Sequence, residues 1–156
     1  NIINMNQLFD RYMLEIAPTK APETYRDNQR EIRNLRIVFG DMSPASIEPP
    51  HIYKYLDIRG KVAKTRANRE KALLSHVFTL AIRWGIVKDN PCKHVVRIKE
   101  IQRDRYITDD EFLSIRNIAP PFIQHIMDFA YITGLRKSDI LQIKRTYITD
   151  DGIIIT

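Results

Sequence analysis

Several residue types are scarce in this chain of 156 residues, and each scarcity excludes a class of protein. Cys92 is the only cysteine, so the chain cannot form an internal disulfide, and we expect a reducing compartment and a packing role for this thiol. No apolar run approaches the length of a membrane span or of a signal peptide's hydrophobic region, so we expect no membrane partner. The four histidines are scattered without the spacing of zinc ligands, so we predict no metal site.

Negative charge is scarce in one part of the chain only. Residues 1–103 contain 19 Lys and Arg against 11 Asp and Glu, a net charge of +8, whereas residues 104–156 contain 6 against 8, a net charge of −2. A positive field of this kind favours a polyanionic partner, of which nucleic acid is the usual one. The basic N-terminal part is therefore the candidate binding region.

The apolar spacing predicts four helices in residues 1–87. The first covers residues 6–16 and stops before Pro18, and the second covers residues 22–39 and stops at Gly40. The third begins at Pro49 and Pro50, runs through Asp57 and ends near Gly60. The fourth is long, ends at Gly85 and has the apolar ladder Leu73, Leu74, Val77, Phe78, Leu80, Ala81 and Trp84.

Two groups of cations are the candidate nucleic-acid contacts. The second helix places Ile32, Leu35, Val38 and Phe39 on one face, and on the opposite face it places Arg26, Arg30 and Arg33. A basic loop and the start of the fourth helix contain the other group, which consists of Lys61, Lys64, Arg66, Arg69 and Lys71. Each cation taken alone fits a solvated surface, but their clustering favours a helix N-terminus presented to phosphates.

The pattern changes after the fourth helix. Residues 88–104 are predicted to be a mostly extended linker, with Asn90-Pro91 as the helix breaker. In residues 105–156, Thr108 and Glu111 form a capping box for a helix over residues 109–118. An apolar helix begins at Pro120-Pro121 and is predicted to be buried in a larger body. Residues 146–148 and 153–155 are predicted to form a β-hairpin. A hairpin alone is marginal, so this part is expected to need further strands.

The most informative stretch is Thr133-Gly134-Leu135-Arg136-Lys137-Ser138-Asp139-Ile140-Leu141. It ends an apolar helix at a glycine and starts another helix, predicted over residues 136–143, with Arg136 in its first turn. A guanidinium beside the unpaired N–H groups of a helix start suits an anion such as phosphate. Asp139, one turn later, is expected to hold the guanidinium in place.

This stretch resembles the first active-site motif of the tyrosine recombinase (phage integrase) family. Residues 105–112, Arg-Tyr-Ile-Thr-Asp-Asp-Glu-Phe, resemble the entry to that family's catalytic domain, and Asn90-Pro91-Cys92 resembles the end of its core-binding domain. The resemblance implies a mainly α fold. A four-helix SAM-like core-binding bundle would occupy residues 1–87, a linker residues 88–104, and an incomplete N-terminal part of the catalytic domain residues 105–156. It also implies a cytoplasmic protein encoded by a bacterium or a phage.

The family cuts and rejoins DNA through a 3′-phosphotyrosine intermediate without metal or other cofactor. The resemblance therefore implies double-stranded DNA with attachment-type sites as the partner, a tetramer of the parent protein on DNA, and no cofactor. It assigns transition-state charge stabilisation to Arg136 and a supporting role to Asp139. The family's later lysine, His-x-x-Arg motif and nucleophilic tyrosine cannot be placed, so this N-terminal portion is predicted to be inactive in strand cleavage.

Two other functions remain open. The chain also fits a stand-alone DNA-binding or regulatory module that never cleaves a strand. An RNA-binding helical domain is less favoured, because readers of single-stranded RNA place stacking aromatics among their cations, and here the aromatics lie on apolar faces.

Overall fold

The computed structural model describes residues 3–101, 104–149 and 152–153 of the chain. It is mainly helical, as predicted, and it divides into two compact units, Asn1–Gln102 and Arg103–Thr156. We call them unit 1 and unit 2.

Unit 1 contains three helices, α1 (Met5–Glu15), α2 (Pro22–Phe39) and α3 (Pro49–Arg83). Short 3₁₀ turns at Ala17–Thr19 and Pro44–Ser46 connect them. The predicted limits of α2 are confirmed, because Pro22 occupies its first turn and Gly40 follows its last residue. Those of α1 differ by one residue at each end.

The sequence prediction of two successive helices here is confirmed, but their boundary is a kink at Ala63 and not a stop near Gly60, and the basic loop predicted between them is wrong. α3 continues through this region, and only Ala63 leaves the helical conformation, with φ −154° and ψ 81°. We call residues 49–62 the first arm and residues 64–83 the second arm, so unit 1 has four helical segments. Gly60 lies inside the first arm and does not end it. A glycine is needed at this position because Ile98 packs on it: a Cβ at Gly60 would lie 2.3 Å from Cδ1 of Ile98.

One core holds these segments together, and each segment contributes an apolar stripe to it. The largest fully buried side chains include Phe9 and Tyr12 of α1, Phe39 of α2 and Phe78 of the second arm. Ile32 and Leu35 are buried as predicted, but Val38 is 50% exposed, so the apolar face of α2 is narrower than its sequence indicates.

The predicted linker is not a free segment over most of its length. Residues 90–100, which we call the strap, lie against α3, and Cys92 and Val95 belong to the core. Burial raises the pKa of the Cys92 thiol to about 12, so this side chain is protonated at neutral pH. The thiol therefore packs, and it has none of the thiolate character of a reactive cysteine.

Unit 2 contains α4 (Asp109–Ile118), α5 (Pro121–Thr133) and α6 (Lys137–Ile140), a 3₁₀ turn at Arg145–Tyr147, and strands β1 (Ile148–Thr149) and β2 (Gly152–Ile153). The capping box at the start of α4 is confirmed, because Thr108 Oγ1 accepts from the Glu111 N–H at 3.3 Å and Glu111 Oε2 accepts from the Thr108 N–H at 3.1 Å.

The hairpin is present with different limits from those predicted. Its antiparallel strands pair Ile148 with Ile153 and Thr149 with Gly152, so two residues assigned to the turn belong to the ladder. Tyr147 lies in the 3₁₀ turn that precedes β1. Ile154 and Ile155 of the predicted second strand lie outside the described residues.

Within its described residues, unit 2 has no buried side chain. The guanidinium of Arg116 on α4 pairs with both carboxylate oxygens of Asp128 on α5, at 2.5 and 2.6 Å, and the Phe112 and Tyr131 rings stack. α5 nevertheless leaves Phe122 71% exposed and Ile132 82% exposed. Few of the described elements cover this helix, so its predicted burial within a larger body stays a prediction.

Candidate nucleic-acid interface

The three arginines predicted on the outer face of α2 are all exposed. Two of them are held by carboxylates one turn earlier: Arg26 pairs with Glu23 at 2.5 Å, and Arg30 pairs with Asp27. Among the described residues Arg33 forms no ion pair. Because exposed pairs of this kind contribute at most about 1 kcal/mol, a phosphate can displace them at little cost.

The structure brings the arginines of α2 together with those of the second arm. Asp27 Oδ1 is the acceptor for Arg30 and also lies 4.0 Å from Nη1 of Arg66. Arg30 and Arg66 line a cavity of about 250 Å³ together with Glu31 and Glu70. The two cation groups that the sequence places on different helices therefore share one surface.

The other predicted contacts belong to α3. Lys61 lies in the first arm, and Lys64, Arg69 and Lys71 lie in the second. Lys71 is half-buried and the other three are exposed. They stand on either side of Ala63, where the helix bends, and not in a loop. The bend therefore decides how the cations of the two arms are placed relative to each other.

Glu70 ties this bend together, although the sequence analysis did not identify it. Its side chain is 1% exposed and accepts from Asn34 of α2 at 2.6 Å and from Tyr55 of the first arm at 2.6 Å. Arg59 of the first arm donates to both carboxylate oxygens, with distances of 3.0 to 3.3 Å. One carboxylate on the second arm thus ties this arm to α2 and to the first arm.

Two neighbouring carboxyl groups have opposite pKa shifts. Burial alone would raise the pKa of Glu70, but the hydrogen bonds from Arg59, Tyr55 and Asn34 outweigh it and lower the pKa below its usual value. The pKa of Glu31 is raised, first by burial and then by the charges of Asp27 and Glu70. The hydrogen bonds therefore favour the ionised form of Glu70, whereas burial and the neighbouring carboxylates disfavour the ionised form of Glu31.

The sequence contains a local signal for the role of Glu70. It stands three, four and seven residues before Leu73, Leu74 and Val77, which puts it on the apolar ladder of the second arm. A charged residue in such a position is expected to have a partner, because burying an unpaired charge costs much free energy. It therefore indicates a buried polar network.

In unit 2, the turn before Arg136 agrees with the sequence prediction. Gly134 ends α5 in the left-handed conformation, with φ 65° and ψ 11°, and its N–H donates to Ala130 O at 2.9 Å. Arg136 is the N-cap of α6, and its carbonyl accepts from the N–H groups of Asp139 and Ile140. Its side chain is exposed. The turn therefore presents the guanidinium to solvent.

Two details of this site differ from the prediction. α6 has four residues and not the eight predicted, so its dipole adds little to the charge of Arg136. Asp139 Oδ1 accepts from Ser138 Oγ at 3.0 Å, and within the described residues it forms no ion pair with Arg136. The support that the sequence predicts from Asp139 is therefore not a direct ion pair in this part of the chain, and it stays a prediction.

Residues 3–101, 104–149 and 152–153 include no group of three or more His, Cys, Asp or Glu side chains placed to hold a metal ion. No helix within these residues is long and apolar enough to cross a membrane.

The sequence is 29% identical to the integrase of Escherichia phage HK022 over 97% of this chain. The resemblance to the phage integrases is confirmed. The integrase of Enterobacteria phage 434 is 28% identical over 96% of this chain. The chain spans 44% of the length of each of these two integrases. No family model matches the sequence.

The integrase-like fold is found in solved structures as well. A lambda integrase tetramer bound to a Holliday junction superposes with a TM-score of 0.90, with 23% identity, over 99% of this chain and 47% of the other. The Tn1549 transposon integrase in complex with circular intermediate DNA gives a TM-score of 0.79, with 19% identity, over 99% of this chain and 54% of the other.

Proposed function

We propose that this chain is the DNA-binding portion of a phage-type integrase that acts in site-specific DNA recombination. Residues 1–87 form the core-binding domain that holds duplex DNA at attachment-type sites, and residues 88–104 connect it to the catalytic domain. Residues 105–156 are the N-terminal part of that catalytic domain. The parent protein assembles as a tetramer on DNA in the cytoplasm of a bacterium.

The main support for this proposal is the basic surface that forms where α2 and the second arm meet. Arg30, Arg66 and Arg69 lie there around two carboxylates, in a chain whose fold matches that of integrases solved with DNA. Guanidinium groups suit phosphate oxygens because they donate in a planar fork. The eight predicted contacts are Arg26, Arg30, Arg33, Lys61, Lys64, Arg66, Arg69 and Lys71.

Salt dependence tests this surface. If Arg30 and Arg69 each contact a phosphate, Arg30→Ala and Arg69→Ala should each reduce the slope of log K against log salt concentration by about 0.9, because one fewer counterion is released. The measurement is a titration of duplex DNA at several salt concentrations. Arg83→Ala, an exposed arginine at the other end of α3, is the matched control and should leave the slope unchanged. Unchanged slopes in both test variants would remove the proposed surface.

For catalysis, we propose that Arg136 stabilises the charge that develops on the scissile phosphate and that Asp139 supports it. The nucleophile is not expected among the seven tyrosines of this chain. Tyr131, the nearest before Arg136 in sequence, donates to Asp109 Oδ1 at 3.2 Å, and the charge of Asp109 together with this bond raises the pKa of its phenol. A raised pKa disfavours the phenolate that would attack phosphorus.

We therefore expect this chain to form no covalent adduct with DNA. Incubation with a suicide substrate, in which a nick prevents religation, should leave all DNA free after denaturation. The positive control is a complete integrase on its own site. A protein–DNA band that survives denaturant would show that a tyrosine of this chain is active.

The alternative is a stand-alone DNA-binding or regulatory module without cleavage activity. It predicts the same salt dependence and the same absence of adduct. The reading frame that encodes the chain separates the two: a downstream His-x-x-Arg motif and a late tyrosine select the recombinase, and a stop codon selects the module.

A further inference from the structure

The strap follows the second arm of α3 in the opposite direction. At its start, Asn90 Nδ2 donates to the carbonyl of Ser75 at 2.9 Å. At its end, the Glu100 carboxylate accepts from Thr65 Oγ1 at 3.0 Å. The eleven residues from Asn90 to Glu100 thus run along the eleven helix residues from Ser75 back to Thr65 and end at the bend.

Asn68 of the second arm clamps the backbone of the strap. Its Oδ1 accepts from the Ile98 N–H at 2.9 Å, and its Nδ2 donates to the Ile98 carbonyl at 2.8 Å. The side-chain amide therefore pairs with one residue of the strap as a neighbouring β-strand would. Asn68 is 5% exposed, so these two bonds lie in a place where unpaired polar groups are costly.

The first arm holds the strap as well. The Ile98 side chain packs on Gly60, and the Val96 N–H donates to Tyr53 Oη at 3.2 Å. Contacts to both arms on either side of Ala63 fix the strap at the bend, so residues 96–98 have a defined position on unit 1.

This position decides where two further cations lie. Because successive side chains of an extended segment point to opposite sides, an inward Ile98 leaves Arg97 and Lys99 outward, and both are exposed. On the helix below, Lys64 and Lys71 stand four residues before and three residues after Asn68, hence on the same stripe. The strap thus adds two cations beside the lysines already proposed to bind DNA.

The carboxylate of Glu100 also indicates that cations of the strap and of the second arm lie close together. Its pKa is lowered, first by the hydrogen bonds from Asn68 and Thr65 and then by the charges of Arg97 and Arg69. Arg97 of the strap and Arg69 of the second arm therefore lie near the same carboxylate.

We propose that the strap is part of the DNA-binding surface of unit 1, in which Arg97 and Lys99 contact duplex phosphates and Asn68 is the positioning residue that orients them. This inference rests on the proposed function, because it adds contacts to the same duplex. It gives the segment predicted as a linker a binding role of its own.

The test compares two double variants with the same change of charge. Arg97→Ala/Lys99→Ala should reduce the salt slope by about 1.8, two contacts at about 0.9 each, and weaken binding at 0.1 M salt by roughly sixty-fold if affinities converge at 1 M. Arg83→Ala/Lys88→Ala, near the other end of α3, should leave the slope unchanged. Equal losses in both double variants would mean a general charge effect and would overturn the proposal.

The positioning role of Asn68 has a separate readout. Asn68→Ala should reduce the slope in the wild-type background but not in the Arg97→Ala/Lys99→Ala background, since it acts through those two residues. A merely structural role would weaken binding equally in both backgrounds and would overturn the assignment. Hydrogen exchange of the Ile98 amide, without DNA, should be slow in the wild type and fast in Asn68→Ala.

The proposal and the proposed function fail in different ways. If the wild-type chain binds duplex DNA and responds to Arg30→Ala and Arg69→Ala but not to loss of Arg97 and Lys99, the strap proposal is wrong and the function stands. If the wild-type chain binds no duplex DNA although the Ile98 amide is protected, the function is wrong and the strap is a packing element only.

Discussion

Glu70→Ala is expected to lower the free energy of unfolding of unit 1 by about 3 kcal/mol, the low end of the cost of removing one partner from a buried ion pair, because the remaining Arg59 side chain is 28% exposed. The change leaves Arg59, Tyr55 and Asn34 without their shared acceptor, and it leaves a cavity at the bend of α3. The measurement is denaturant unfolding, in which the midpoint should fall while the m-value stays constant.

The matched control is Asp57→Ala. Asp57 is an exposed acidic residue of the first arm, and its removal should change the free energy of unfolding by at most about 0.5 kcal/mol. If the two variants unfold at the same denaturant concentration, Glu70 does not hold the bend, and the placement of the basic surface needs another explanation.

The contribution of Glu70 also depends on pH. Because its pKa is lowered in the folded chain, its contribution is fully present above the pKa of an unfolded glutamate, near 4.5, and is lost as the pH falls through the folded value. The stability difference between the wild type and Glu70→Ala should therefore be constant near neutral pH and shrink on acidification. A difference that grew on acidification would contradict the shift.

Arg136→Ala should have the second large effect, in a recombinase that contains this chain together with the family's nucleophile. We expect DNA cleavage to slow by roughly a hundred- to a thousand-fold, as when one preorganised donor to a developing oxyanion is deleted. The measurement is the rate of covalent adduct formation at saturating DNA. Affinity for the duplex should change little, because the donor acts on charge that appears only in the transition state.

Two variants sharpen this test. Lys137→Ala removes the neighbouring charge at the start of α6 and should slow cleavage far less. Arg136→Lys keeps the charge but loses the planar fork, so it should recover part of the rate only. Adduct formation at the wild-type rate in Arg136→Ala would take the catalytic role away from this residue.

The helix ends that the sequence predicts correctly depend on residues close together in the chain. The limits of α2 follow from Pro22 and Gly40, and the start of α4 follows from Thr108 and Glu111, because caps are decided by residues a few positions apart. The turn at Gly134 also has a local cause. The helix ends in the left-handed conformation, which favours glycine at this position.

The errors have non-local causes. Gly60 indicates a helix stop in sequence, but it serves the close approach of Ile98, which lies far along the chain. The clamp by Asn68 depends on the same approach, so no local pattern reveals it. Helical spacing places Asp139 one turn after Arg136, but in the single turn of α6 this spacing alone does not pair the two side chains, so the supporting role stays a prediction.

The absence of buried side chains in the described part of unit 2 has a calorimetric consequence. The heat capacity change of unfolding arises mainly from apolar surface that becomes hydrated, and so does much of the cooperativity of melting. Among the described residues, such surface lies between Met5 and Val95. A melting curve of the whole chain would therefore report on unit 1, while unit 2 would contribute a shallow, nearly uncooperative change to the baseline.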